Sequence, residues 1–182
     1  MTTYISILRG INVSGQKKIL MADLKALYET LKFTDVATYI QSGNVVFRAD
    51  KKAANAELAG KIEQAISKKY KFDVPVIVRT ADEMKKAVAS NPFVKDKKID
   101  VEKLHVTFLS ETAEQLNLES IKKIEFPPDQ FVIIGQEIFL HCPKSYGETK
   151  LSNKFFESKL KVTATTRNWK TVNTLVDIAG KI

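Results

Sequence analysis

Three short stretches hold the residues of this chain whose types and spacing could do chemistry. Tyr4-Ile5-Ser6-Ile7-Leu8-Arg9-Gly10-Ile11-Asn12-Val13 sets an arginine, a glycine and an asparagine directly after an apolar run. A guanidinium makes two parallel hydrogen bonds to a phosphate or carboxylate, and a glycine lets the main chain approach it closely. The same residues could instead tie a strand to its loop through carbonyl oxygens. Thr165-Thr166-Arg167-Asn168-Trp169-Lys170-Thr171 repeats the arginine–asparagine combination at a helix start, where free N–H groups favour anions. The competing reading there is a plain N-cap with Trp169 docked on the core. Gly147-Glu148-Thr149-Lys150-Leu151-Ser152 leads into a helix with Lys150 positioned to meet an anion, although its spacing is not that of a phosphate-binding glycine loop. The candidate ligand-binding residues are therefore Arg9, Asn12, Lys150, Arg167 and Asn168.

No catalytic or metal-ligating set accompanies them. His105 and His141 fall on expected strands, with no cysteine or carboxylate at metal spacing, and read as structural. Cys142 precedes Pro143 and has no evident base. Serine-elbow, kinase and dinucleotide signatures are absent, and no cofactor is implied.

The elements that position the candidates follow from periodicity. Residues 3–9 alternate as a strand, with Ile5 and Ile7 opposite Tyr4, Ser6 and Leu8. Leu20, Leu24, Leu27 and Leu31 form a helical stripe. Thr34–Gln41 and Val45–Arg48 read as strands joined at Ser42-Gly43-Asn44, a hairpin corner. Leu58, Ile62 and Ile66 mark a second helix and Val74–Val78 a fourth strand, where Pro75, lacking an N–H, argues for an edge strand or an edge-facing position. This β-α-β-β-α-β order is the ferredoxin-like arrangement, four antiparallel strands with two helices on one face. Thr80-Ala81-Asp82-Glu83 is a capping box opening a helix that Asn91-Pro92 closes.

The second half repeats the theme. It offers a strand over Lys103–Leu109, a helix capped by Thr112 and Gln115, and a hairpin of Phe131–Ile134 with Glu137–Cys142 across Gly135-Gln136. A helix from about Leu151 to Leu160, a Thr-rich extended segment and a last helix bearing Val172, Leu175 and Ile178 complete it. The fold class expected is α+β, with two ferredoxin-like units: residues 1–80, and residues 81–182 as a variant with an extra C-terminal helix. Both faces of the first sheet are apolar, so both need cover, and a cleft between units is a common ligand site.

Composition bounds the function. With 182 residues, 44% apolar and 27% charged, the chain suits a soluble globular protein. No run approaches the roughly eighteen apolar residues of a membrane span, and the N-terminus does not read as a signal peptide. One cysteine precludes an internal disulfide, so a cytoplasmic location is expected. The net charge of +8 is uneven: residues 1–80 carry 13 Lys/Arg against 7 Asp/Glu, a net of +6. Such a balance suits nucleic acid or a phosphorylated ligand, or simply solubility. An RNA-recognition reading would need bases stacked on central-strand aromatics, and Gly43–Phe47 fits that consensus only loosely.

Leu8–Val13, Thr38–Phe47, Asn91-Pro92-Phe93 and Thr165–Val172 together resemble the bacterial family called domain of unknown function 1697, nearly end to end. The resemblance implies two ferredoxin-like units in a small cytoplasmic protein, and carries over no activity, cofactor or substrate. Ser14 stands where that family is expected to have a second glycine, which implies a stiffer first loop. The function expected is a cytosolic binding protein for an anionic ligand, a phosphorylated metabolite or nucleic acid, held between the units. The alternatives are an enzyme on a small phosphorylated substrate and a protein-interaction module. The oligomeric state is left open.

Overall fold

The computed structural model describes residues 1–50 and 53–182. Among them the chain forms two four-stranded antiparallel sheets and six α-helices. By its contacts it divides into unit 1, Met1–Lys85 with Thr174–Ile182, and unit 2, Lys86–Asn173. The sequence reading divided it after residue 80 instead. The difference has a physical origin: an amphipathic helix joins whichever core covers its apolar stripe, and order along the chain does not decide which that is.

Unit 1 runs β1 (Thr2–Leu8), α1 (Met21–Thr30), β2 (Thr34–Tyr39), β3 (Asn44–Ala49), α2 (Asn55–Tyr70) and β4 (Val76–Thr80) into α3 (Ala81–Ser90). Its strand order is β2-β3-β1-β4, so β4, directly after Pro75, lies at an edge. Strand alternation sends Tyr4, Leu8, Val45, Phe47, Val76 and Val78 into one core with Leu24, Leu27, Leu58, Ile62 and Ile66 of α1 and α2. Full burial of each such aliphatic side chain stabilises by about 1.5–3 kcal/mol. Tyr4, Tyr28, Phe33 and Phe47 pack ring on ring there, with centroids 4.5 Å apart for the closest pair, Phe33 and Phe47. One polar pair enters this core: the Ser6 and Tyr28 hydroxyls hydrogen-bond at 2.7 Å. Burial pushes the Tyr28 phenol well above its ordinary pKa of 10, partly opposed by that bond. Ile5 and Ile7, on the opposite face, are also fully buried, so both faces are covered.

Unit 2 runs from the end of α3 through β5 (Leu104–Leu109), α4 (Gln115–Ile121), β6 (Gln130–Ile134), β7 (Glu137–His141), α5 (Asn153–Leu160) and β8 (Ala164–Asn168) into α6 (Trp169–Ala179). Its order, β6-β7-β5-β8, places each strand as its counterpart stands in unit 1. Leu109, Ile138, Leu140 and Ala164 share a core with Ile121 of α4 and with Phe156 and Leu160 of α5. The Thr-rich segment is the fourth strand, paired with β5 from His105–Asn168 to Leu109–Ala164. Thr112 and Gln115 do not cap α4: Glu114 is its N-cap, the Thr112 hydroxyl accepts from the Gln136 amide, and Gln115 donates to Glu119.

Among the described residues no helix is long and apolar enough to cross a membrane, and no group of three or more His, Cys, Asp or Glu could hold a metal ion.

Candidate functional site

In unit 1 the first loop and the β2–β3 corner are clasped together. The Leu8 amide donates to the Gly43 carbonyl at 2.9 Å, and the Arg9 amide to the Pro75 carbonyl at 3.0 Å. Asn12 sits at φ +56°, a conformation asparagine tolerates better than most residues. Its Nδ2 donates to the Ile19 carbonyl at 2.9 Å and the Gln41 carbonyl at 2.8 Å, and its Oδ1 accepts from the Ile19 amide at 2.9 Å. Both ends of the Asn12 amide are thus engaged inside the protein. Gly43 lies beneath the clasp at φ +85°, where a Cβ would stand 2.6 Å from Ile11 Cδ1 and 2.9 Å from Leu8 Cβ. Gly10 is the opposite case: it is exposed, and no heavy atom lies within 4 Å of where its Cβ would be. The half-exposed Arg9 therefore stands beside main chain that a ligand can approach.

In unit 2 the candidates fall in two places. Arg167 is the fourth residue of β8, and its Nη1 donates to the Thr166 carbonyl at 2.9 Å and the Thr165 hydroxyl at 3.3 Å. Burial lowers its pKa to about 10, against an opposing charge interaction with Tyr146, so it remains a cation at neutral pH. Asn168 is exposed and acts as an N-cap, its Oδ1 accepting from the Thr171 amide at 2.8 Å. His105, paired in register with Asn168, stacks on Tyr146 with ring centroids 4.7 Å apart. Burial lowers the His105 pKa, partly offset by its interaction with the Lys103 backbone. Arg167, Asn168, His105 and Tyr146 thus gather around one end of β5 and β8. Lys150 is exposed, with its ammonium 5.6 Å over the ring of Phe126, itself a wall of a separate cavity of about 790 Å³ beside β6.

Sequence reading missed Tyr146, and it missed Arg79. Arg79 is the fourth residue of β4, buried, with its Nη1 donating to the preceding carbonyl of Val78 at 3.1 Å. Thr80 follows it as Asn168 follows Arg167, and the Thr80 hydroxyl accepts from the Glu83 amide at 3.1 Å while Glu83 Oε2 accepts from the Thr80 amide at 2.7 Å. Aligning the two halves at their last strand-to-helix junction would have shown the correspondence.

Both units therefore close on a buried or half-buried arginine and a capped helix. Residues 1–139 match the family described as "Protein of unknown function (DUF1697)", and the chain belongs to that family. Thr165–Val172 lies beyond the matched span. The fold is similar to the solved structure titled "The structure of conserved bacterial protein SP0830 from Streptococcus pneumoniae", with 23% identity, a TM-score of 0.77 and 98% of each chain covered. No curated protein matches.

Proposed function

We propose that each unit is a ferredoxin-like plait and that the protein is a cytosolic binding protein for an anionic ligand, with a small phosphorylated metabolite as the first choice. The two strand orders, and the pair of helices sharing a core with one face of each sheet, support the fold reading. A single buried cysteine fits a reducing compartment. The observation that carries the ligand reading is the state of Arg167. Its guanidinium is desolvated enough to lower its pKa to about 10, and it immediately precedes the N-cap of α6. A weakly hydrated cation loses less on meeting an anion, and a helix N-terminus adds N–H donors nearby. Asn168 stands beside Arg167 in unit 2, while Lys150, and Arg9 on the loop that Asn12 holds in unit 1, are separate candidate contacts for the same class of ligand. The excess of positive charge in residues 1–80 favours nucleic acid as the second reading.

The test is a melting screen against phosphorylated metabolites, with short oligonucleotides titrated at low salt. A phosphorylated ligand at one hundred times its dissociation constant is expected to stabilise by about 2.7 kcal/mol. Arg167→Ala should abolish that gain, and Arg9→Ala should test whether unit 1 contributes. Binding only to oligonucleotides, weakening steeply with salt, would select nucleic acid. No response to either class would remove the anion-binding reading.

A further inference from the structure

One cavity of unit 2 belongs to neither arginine site. It has a volume of about 790 Å³ and lies among the end of α4, the segment that follows it, and β6. A volume in that range holds a small organic molecule. Three aromatic side chains, Phe93, Phe126 and Phe131, line it together with three charged ones, Lys122, Glu125 and Asp129. Carboxylates thus outnumber ammonium groups on this wall, in a chain whose overall charge is +8. Among the described residues neither Glu125 nor Asp129 is ion-paired.

The chain between α4 and β6 sets a ring and a carboxylate side by side. Phe126-Pro127-Pro128-Asp129 is a tight turn: the Asp129 amide donates to the Phe126 carbonyl at 2.9 Å, and the two residues form an antiparallel bridge. Opposed residues of such a bridge send their side chains to the same side, so the Phe126 ring and the Asp129 carboxylate are neighbours. The Thr149 hydroxyl donates to Asp129 Oδ2 at 2.6 Å, which orients the carboxylate and leaves Oδ1 to accept from a ligand. Phe126 already carries one cation, the Lys150 ammonium 5.6 Å over its ring. The face of an aromatic ring is electronegative, so ring and carboxylate select the same sign of ligand.

We infer that this cavity is a binding site for a small amine carrying an aromatic ring. The ring of the ligand replaces water against Phe93 and Phe131, and its ammonium donates to Asp129, with the exposed Glu125 adding negative charge. A wall of this sign disfavours anions, so the site stands independently of the one around Arg167.

Phenethylamine, phenethyl alcohol and hydrocinnamate share a phenyl ring and differ in the charge at the other end, which makes them the probes. Each is titrated into the protein in the low-millimolar range while backbone amide shifts are followed by nuclear magnetic resonance. Phenethylamine should give saturable shifts at Asp129 and Phe131–Ile133. It should bind about tenfold more tightly than the alcohol, with the acid weaker still. Asp129→Asn keeps an oxygen that can accept from Thr149 but removes the charge; it should weaken phenethylamine about tenfold and leave the alcohol unchanged. Glu125→Gln, at an exposed position, should act in the same direction and carries the test if the first variant does not fold. Equal affinity for amine and alcohol overturns the inference, as does tighter binding of the acid. So does the absence of saturable shifts at these residues, or phenethylamine binding that neither variant weakens.

Discussion

Units 1 and 2 end their sheets alike and begin them differently. In each, the fourth strand carries an arginine at its fourth position, then a residue that caps the following helix: Arg79-Thr80 before α3, Arg167-Asn168 before α6. The first loops diverge. Both hairpin corners are tied to the end of the central strand, by Leu8 N–H to the Gly43 carbonyl and by Leu109 N–H to the Gln136 carbonyl, each at 2.9 Å. In unit 1 Asn12 adds a bond to the Gln41 carbonyl and Gly43 packs closely on Ile11 and Leu8, whereas the Cβ position of Gly135 in unit 2 is open. The shared ending is architecture, because a strand passing straight into a helix needs a cap in either unit. The differing beginnings lie in side-chain bonding: three hydrogen bonds of Asn12 fix the loop beside Arg9 in unit 1.

The comparison breaks most sharply at the two hairpin glycines. Gly43→Ala should cost about 3 kcal/mol, combining a positive φ of roughly 1–2 kcal/mol with overpacking of about 1–3 kcal/mol. Gly135→Ala, at φ +60° with nothing nearby, should cost only about 1–2 kcal/mol. Urea midpoints for the pair would settle it, and equal losses would mean the clasp adds nothing. Asn12→Ala comes next, at about 2 kcal/mol for three hydrogen bonds, part of them buried. The caps should be equivalent: Thr80→Ala and Asn168→Ala at about 1 kcal/mol each. A twofold disparity between them would argue that Asn168 does more than cap.

The units should also respond differently to pH. Tyr28 has a raised folded pKa, so its contribution is complete below the unfolded value near 10 and is lost as pH rises beyond it, by up to about 1.4 kcal/mol per pH unit. Tyr28→Phe should flatten that alkaline loss. Arg167, with its folded pKa lowered to about 10, works the other way: stability rises with pH between about 10 and the unfolded value. His105 has a lowered folded pKa, so unit 2 should lose stability as pH falls below the unfolded value near 6.5, and His105→Gln should remove that slope. The smallest effect should be Lys150→Ala, about 0.5 kcal/mol or less for an exposed cation over Phe126.

The order of elements in residues 1–80 was legible because each strand and helix announces its own period. The Thr80–Glu83 capping box was legible because its partners lie three residues apart. β8 was harder: Ala164-Thr165-Thr166 has no apolar alternation, and its identity as a strand comes from pairing with β5, some sixty residues earlier in the chain. Asn12 was singled out for its residue type, but its bonds to Ile19 and Gln41 depend on a loop closure that local spacing does not encode. Nor does sequence anticipate Ile40 at φ +52°, a β-branched residue held where such residues rarely go. Arg79 escaped notice because it reads as part of an apolar strand. Only the parallel junction in unit 2 shows its place.

Thr174–Ile182 belongs to unit 1 although all of unit 2 precedes it in the chain. Synthesis runs in one direction, so on the ribosome the first sheet emerges long before the segment that joins it. At roughly 5–20 residues per second, the interval is on the order of ten seconds. Throughout it, unit 1 must persist without those residues, while unit 2 has its full complement as soon as Asn173 is clear. The nascent chain should therefore bury unit 2's core in its final form first.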